Sequence, residues 1–306
     1  MPAVTEPSEP TSRVLSRYEQ RGIEPVPEAE RNGRPFQLFW VWFAANISIL
    51  GLPLGATLVN LGLNIWQALL VTIVGAFGSF ALVGVISIAG RRGGAPSLTL
   101  SRAIFGVRGN IGPTIVSLCS RLGWETVNTT TAAFALLSMS TIIFGTDENA
   151  KNVPVLAIVC ILIFVAFTIA VSGMGHATLL LVQKWATWIF GAFNLFVMAF
   201  LFAEIDWAAV GAAPAGPASA VIIGIGAIAG GTGIGWANAG ADMSRYQSTS
   251  VRSMHLVLSA SAGAGIPLVL LIGLGSLLSA GDPSLGSAAD PVAAIREMLP
   301  AGVAVP

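Results

Sequence analysis

Residues 35–90 read PFQLFWVWFAANISILGLPLGATLVNLGLNIWQALLVTIVGAFGSFALVGVISIAG, with no charged side chain between Arg34 and Arg91. An α-helix rises about 1.5 Å per residue, so a single helix of this length would measure roughly 84 Å. The hydrocarbon core of a bilayer is about 30 Å thick, so the stretch predicts two membrane-spanning helices. Strands of a membrane barrel alternate polar and apolar residues over about ten positions, and this stretch does not.

The rest of the chain has the same character. Of its 306 residues, 54% are hydrophobic and 10% are charged, whereas soluble domains carry about 25% charged residues. The 15 basic and 15 acidic side chains balance, which excludes a nucleic-acid partner held by a basic surface. Further charge-free runs are 126–146, 152–183, 185–203, 207–241 and 253–281. We therefore expect an all-α polytopic membrane protein embedded in the lipid bilayer.

These runs predict seven helices, at about 37–60, 66–89, 111–142, 153–173, 184–204, 218–240 and 254–280. A loop rich in glycine and arginine is expected at 90–110. A polar, proline-containing loop that leads towards another helix is expected at 281–306. Residues 1–35 are polar and contain several prolines, so we expect a disordered tail.

The positive charges predict the orientation of these helices, because cytoplasmic loops carry an excess of Lys and Arg. With the N-terminus in the cytoplasm, only Lys151 and Arg296 lie outside. The inner segments then hold Arg13, Arg17, Arg21, Arg31, Arg34, Arg91, Arg92, Arg102, Arg108, Lys184, Arg245 and Arg252. We expect a multi-pass protein of the cell membrane, plasma or inner, with a cytoplasmic N-terminus.

The first predicted helix carries polar residues and helix breakers at mid-span. Asn46 and Ser48 precede Gly51 and Pro53. Proline removes a backbone hydrogen bond, and backbone that opens inside a membrane must be satisfied by protein or by a lined cavity. Asn46 and Ser48 are therefore candidate substrate contacts. The alternative is a plain proline kink that packs against neighbouring helices.

The sixth predicted helix is interrupted in a similar way. It reads GGTGIGWANAGAD over 230–242, and each glycine weakens a helix by about 1 kcal/mol relative to alanine. Close helix packing through small residues would explain the glycines alone. Interrupted helices at matching places in two halves of a chain, however, indicate the mid-membrane site of a transporter. The first and sixth helices are five apart, as an inverted repeat of five helices requires.

The third predicted helix carries charged and aromatic residues at intramembrane depth. Arg121 and Glu125 are four residues apart, so they share a face and can pair. Trp124 and Asn128 have the same spacing on an adjacent face. Charges at this depth usually face a cavity, so Trp124 is a candidate to stack on a flat ligand, Asn128 to bond its edge, and Glu125 to carry a coupling proton. The alternative is a neutralised structural pair. Catalytic or metal-binding motifs are absent from the sequence, so neither an enzyme nor a cofactor is expected.

In this order, four groups of residues resemble the nucleobase:cation symporter-1 family, in particular its purine–cytosine permease branch. The resemblance runs from about residue 31 to residue 306. The groups are Trp42-Phe43-Ala44-Ala45-Asn46; Leu100-Ser101-Arg102-Ala103-Ile104-Phe105-Gly106; Gly123-Trp124 with Val127-Asn128; and Gly235-Trp236 with Asp242, Arg245 and Tyr246.

The resemblance implies a LeuT-like fold of two inverted five-helix repeats with alternating access. In such relatives a planar base lies between two tryptophans, whose positions match Trp124 and Trp236 here. It assigns further substrate contacts to Asn128, Gly235 and Ser48. It also implies that the backbone carbonyls of Ala44 and Ile47 belong to a cation site, which helix 8 completes in the family.

The length sets the expected domain organisation. The transporter domain is expected over 36–306, with a first repeat at about 36–204 and a partial second repeat at about 218–306. A second repeat of equal length would extend beyond residue 306, so we expect a chain that is truncated after about seven helices and lacks helix 8 onward.

Taken together, these patterns predict a secondary transporter that imports cytosine or a purine with H⁺ or Na⁺. One alternative is a transporter of the same family for allantoin, hydantoin or a vitamin such as thiamine or pyridoxine. Others are a non-functional fragment and a seven-helix receptor or channel. The sequence leaves the oligomeric state open.

Overall fold

The first hydrophobic segment forms two helices rather than one. The computed structural model describes residues 22–288 and 291–299. It has α1 at Pro35–Asn46 and α2 at Gly51–Asn60, bent by 65° at the break between them. Pro53 lies in the first turn of α2, where its missing N–H would have no helical partner. The predicted interruption is confirmed, and it lies at residues 47–50, before the proline.

The other helices follow the predicted order. They are α3 (Ile65–Gly93), α4 (Ser97–Leu100), α5 (Arg102–Gly109), α6 (Ile111–Phe144), α7 (Pro154–Gly173), α8 (His176–Leu201), α9 (Trp207–Ala212), α10 (Ala218–Ala229), α11 (Gly240–Ser244), α12 (Ser253–Ser279) and α13 (Pro291–Glu297). Among the described residues, β pairing is limited to an isolated bridge between Gly33 and Gln247.

Within residues 22–288 and 291–299, six helices are long and apolar enough to span a membrane, or seven if α1 and α2 together form one span. This confirms the all-α polytopic class. One predicted boundary is wrong: α8 begins at His176 and not near residue 184. Lys184 lies inside this helix, because a charge marks where a helix leaves the hydrocarbon and not where the helix ends.

Two segments expected to be loops contain helix. The expected 90–110 loop contains α4 and α5, which are short helices with a left-handed residue at Gly106 (φ 67°). The expected 281–306 loop contains a 3₁₀ turn at Pro283–Ser287 and α13. Both segments pack locally against longer helices, which hydropathy does not reveal.

Part of the expected tail also differs from the prediction. Residues 1–21 lie outside the described residues, but residues 22–34 pack against one end of the bundle. Val26 is fully buried, and its N–H donates to the carbonyl of Gly94. The Arg31 side chain donates to the carbonyls of Val26 and Arg91. This segment therefore has fixed contacts with the C-terminal end of α3.

The main core lies where α1, α2, α3, α10 and α12 meet, and α6, α7 and α8 lie outside it. Close backbone approach holds α2 on α12: a Cβ on Gly55 would lie 2.0 Å from the carbonyl oxygen of Ile272. Only glycine fits there. The Ser276 hydroxyl adds a hydrogen bond to the Gly55 carbonyl at 3.0 Å.

Candidate substrate site

The two interrupted helices meet at a cavity of about 770 Å³. Drug-sized ligand pockets are typically about 300–1,000 Å³. The cavity is lined by the broken ends of α1 and α2, by the middle of α6, and by the segment that follows α10. Eight residues singled out from the sequence line it: Asn46, Ser48, Arg121, Trp124, Glu125, Asn128, Gly235 and Trp236. Sequence positions up to 190 residues apart thus come together on one wall of the bundle.

The end of α1 supplies the first part of the lining. An α-helix leaves its last four carbonyls without helical partners. The Phe43 carbonyl accepts from the N–H of Ile47 at 3.0 Å, which leaves the following carbonyls, beginning with Ala44, at the open end. Asn46 is buried, and its amide nitrogen donates to the carbonyl of Trp42 at 2.8 Å. Neither Ala44 nor Ile47 is among the lining residues.

The chain opens a second time after α10. Residues Gly230–Ile234 form a π-turn in which Thr232 leaves helical geometry (φ −123°, ψ −105°). The hydroxyl of buried Ser79 on α3 accepts from the N–H of Gly233 at 3.2 Å. The Thr232 hydroxyl donates to the Ile228 carbonyl at 2.6 Å. These contacts satisfy backbone that the break would otherwise leave unpaired inside the membrane.

The two tryptophans hold their positions through different neighbours. A Cβ on Gly235 would lie 3.0 Å from the indole nitrogen of Trp124, so the Trp124 ring rests against this glycine. Trp236 makes an edge-to-face contact with buried Trp42, with 5.7 Å between ring centroids. Both rings keep more than a third of their surface exposed, 40% for Trp124 and 38% for Trp236. They therefore offer aromatic surface to the cavity.

The predicted pairing of Arg121 with Glu125 is wrong. Arg121 Nη2 lies 3.2 Å from Asp242 Oδ2. Asp242 belongs to the segment after the second break, residues 235–244, which ends in α11 and is called the Trp236 half-helix below. Spacing along α6 permits a bond to Glu125 but gives no information about charges that approach from another helix. Among the described residues Glu125 has no ion partner, and it lines the cavity.

Several supporting residues were not singled out from the sequence. Ser79 supports the second break, and Ser117 accepts from the side-chain amide of Asn238 at 2.8 Å. Single serines in apolar helices are common, so nothing in the sequence distinguishes these two. Within the part of the chain that the structure describes, His, Cys, Asp and Glu form no group of three or more that could hold a metal ion.

Comparison with known proteins agrees with this architecture. The family model described as permease for cytosine/purines, uracil, thiamine, allantoin matches residues 25–306. The purine-cytosine permease FCY2 of Saccharomyces cerevisiae is 30% identical over 281 residues, which cover 87% of this chain and 49% of the relative. The putative purine-cytosine permease YxlA of Bacillus subtilis is 31% identical over 172 residues, which cover 56% of this chain and 35% of the relative.

A solved structure shares the fold. It is Mhp1, a nucleobase-cation-symport-1 family transporter in a closed conformation with bromovinylhydantoin bound. Its TM-score is 0.68 at 21% identity, over 95% of this chain and 64% of Mhp1. This likeness confirms the LeuT-like fold. The chain spans about a third to a half of the length of the curated relatives it matches. The match over residues 25–306 shows that the chain belongs to the nucleobase:cation symporter-1 family of membrane transporters.

Proposed function

We propose that this chain carries the substrate site of a secondary active transporter that imports a nucleobase, cytosine or a purine, by alternating access. The observation that supports it is the cavity between two broken helices, with Trp124 and Trp236 both in its lining. Heteroaromatic rings stack on aromatic faces, and the Asn128 amide offers both a donor and an acceptor to a ring edge. Gly235, Ser48 and Asn46 complete the proposed substrate contacts, and the Asn46 amide also supports the end of α1.

The coupling ion is H⁺ or Na⁺ in this proposal. The open carbonyl end of α1, with Ala44 and Ile47, is the proposed half-site for a cation, because hard cations prefer oxygen ligands. Glu125, with Arg121 one turn away, is the proposed site for a coupling proton. The repeats at about 36–204 and 218–306 supply one broken helix each. In this proposal the protein lies in the cell membrane with its N-terminus in the cytoplasm.

A second substrate class has support of its own. The family description includes allantoin and thiamine, and the structural neighbour holds bromovinylhydantoin. A hydantoin ring is flat and carries hydrogen-bond donors and acceptors on its edge, as a pyrimidine does. Competition against labelled cytosine by adenine, uracil, allantoin, hydantoin and thiamine separates the two classes.

The experiment that tests the site is uptake by Trp124→Ala and Trp236→Ala variants of the protein. Stacking of one base on one aromatic side chain contributes about 1–3 kcal/mol. We therefore expect each variant to bind substrate roughly fivefold to 150-fold more weakly and to take it up correspondingly less. Trp66→Ala is the matched control, because Trp66 is 76% exposed and is not among the cavity residues. Undiminished uptake of every tested ring by both site variants would contradict the proposal.

A further inference from the structure

Two contacts in register join α6 to the half-helix beyond the second break. The Asn238 amide donates to the Ser117 hydroxyl at 2.8 Å, and Arg121 pairs with Asp242 at 3.2 Å. Ser117 and Arg121 are four residues apart on α6, and so are Asn238 and Asp242 on the opposing segment. Residues four apart share one helix face. Arg121 also approaches the Asn238 carbonyl at 3.5 Å.

Asp242 also makes a contact outside this pair. Its Oδ1 accepts from the N–H of Ser97 at 2.7 Å, and the Ser97 hydroxyl accepts from the N–H of Ala241 at 3.1 Å. Ser97 begins α4, in the connection between α3 and α6. One carboxylate therefore links three parts of the chain: the half-helix of Trp236, the helix of Trp124, and the connection that precedes α6.

The opposing half-helix packs closely against α3, whereas few residues of α6 are buried. The carbonyl of Gly240 accepts from the buried Ser87 hydroxyl at 3.0 Å, and a Cβ on Gly240 would lie 2.8 Å from the Val83 carbonyl oxygen. Along α6 the buried residues are Ser117, Ala133, Leu137 and Ser138. Near the cavity, the polar contacts of Ser117 and Arg121 and the contact of the Trp124 ring with Gly235 join α6 to the opposing segment.

We propose that Asp242 is a positioning residue that holds Arg121 and thereby closes the cytoplasmic end of the substrate cavity. This inference rests on the proposed transport function and on a cytoplasmic N-terminus, which places α11 at the inner end. The ion pair parts when α6 and the Trp236 half-helix separate to release substrate inward. Its side chains are 50% and 27% exposed, and ion pairs with such exposure are weak, so the pair can open during each transport cycle.

Thiol accessibility tests this inference without any need for transport. The test protein is the full chain with both cysteines replaced, by Cys119→Ser and Cys160→Ser. Ala45→Cys then supplies one reporter thiol in the cavity lining, on a different helix from Arg121. Inside-out vesicles are treated with a short, neutral poly(ethylene glycol) maleimide that does not cross the bilayer. We expect Arg121→Gln and Asp242→Asn each to raise the labelling rate about threefold or more. The double variant should resemble the single variants, because all three lose the same pair.

Asp282→Asn is the matched control. Asp282 also accepts a backbone N–H, that of Ser284 at 2.9 Å, and it is absent from the cavity lining. An unchanged labelling rate in both site variants would overturn the inference, as would an equal rise in the control or additive rates in the double variant. If Asp242→Asn does not fold, Arg121→Gln decides alone, since its half-exposed guanidinium is not needed for the Ser97 contact. Failure of the proposed function would show in uptake by the tryptophan variants, not in this rate.

Discussion

Gly235 sets the position of Trp124, because the indole nitrogen lies where a Cβ would begin to crowd it. In Gly235→Ala the ring has to turn or shift by a few tenths of an ångström. An off-rotamer side chain costs about 0.5–1.5 kcal/mol, so we expect substrate affinity to fall about twofold to tenfold. Equilibrium binding of labelled substrate to purified protein measures the change.

Gly230→Ala is the control for this substitution. Gly230 begins the π-turn that directly precedes Gly235, but a Cβ there meets nothing within 4 Å. Its affinity should stay close to that of the unmodified protein. An equal loss of affinity in both variants would mean that the turn, and not the contact with Trp124, determines the effect.

Glu125 differs from the other charged residue of the cavity. Arg121 is neutralised by Asp242, whereas Glu125 lines the cavity without an ion partner among the described residues. Proton relays in transporters use Asp and Glu side chains that face an internal cavity, so Glu125 is the proposed carrier of a coupling proton. We expect Glu125→Gln to abolish the dependence of uptake on an imposed pH gradient, while Glu125→Asp retains it. Uptake driven by the gradient to the same extent in Glu125→Gln would refute proton coupling at this residue. Uptake that then follows the Na⁺ gradient would direct attention to Ala44 and Ile47.

At the scale of elements, the positions of the membrane-spanning helices can be predicted from the sequence, because charged side chains are excluded from the hydrocarbon core of the bilayer. The break in the first helix can also be predicted, because Asn46, Ser48 and Pro53 interrupt an apolar run. The partner of Arg121 cannot be predicted from the sequence, because residue spacing indicates contacts only within one helix and Asp242 is 121 residues away. The 97–109 helices were missed since they are short. Hydropathy cannot distinguish a short surface helix with exposed Ile104 and Val107 from a loop.

The packing of α2 on α12 depends on a close approach of the two backbones at Gly55, which leaves no room for a side chain there. A Cβ on Gly55 would lie 2.0 Å from the Ile272 carbonyl oxygen and 2.5 Å from the Ser276 backbone nitrogen. In Gly55→Ala the two helices must separate, and overpacking of this kind costs about 1–3 kcal/mol. We expect a clearly lower midpoint of thermal unfolding in detergent. It is measured by tryptophan fluorescence, or by the temperature at which the monodisperse peak is lost in size-exclusion chromatography.

Gly226→Ala on α10 is the comparison for Gly55→Ala. A Cβ at Gly226 meets nothing within 4 Å, and alanine is favoured over glycine in a helix by up to about 1 kcal/mol. Its thermal midpoint should be unchanged or higher. A midpoint lowered as much as in Gly55→Ala would show that glycine flexibility matters, and not the close approach of α2 to α12.

At the scale of the whole molecule, the structure brings Arg31, Arg91 and Arg245 to one end of the bundle. Arg31 contacts the carbonyl of Arg91, and the Arg245 guanidinium donates to the carbonyl of Gly22. Gly33 pairs with Tyr246 through a backbone hydrogen bond of 2.9 Å. The segment before α1, the end of α3 and the loop after α11 therefore share one surface. By the positive-inside rule, this surface is the one that we propose to be cytoplasmic.

Cysteine labelling tests this orientation with two exposed positions at opposite ends. In a background of Cys119→Ser and Cys160→Ser, Asn149→Cys lies in the loop between α6 and α7, and Ser250→Cys lies in the loop before α12. We expect a charged, impermeant maleimide to label Asn149→Cys in intact cells. Ser250→Cys should react only after the cells are permeabilised, because the proposed orientation places the loop that follows Arg245 in the cytoplasm. The reverse pattern would invert the whole topology. It would also place the Arg121–Asp242 pair at the outer mouth of the cavity, where it would control entry of substrate instead of release.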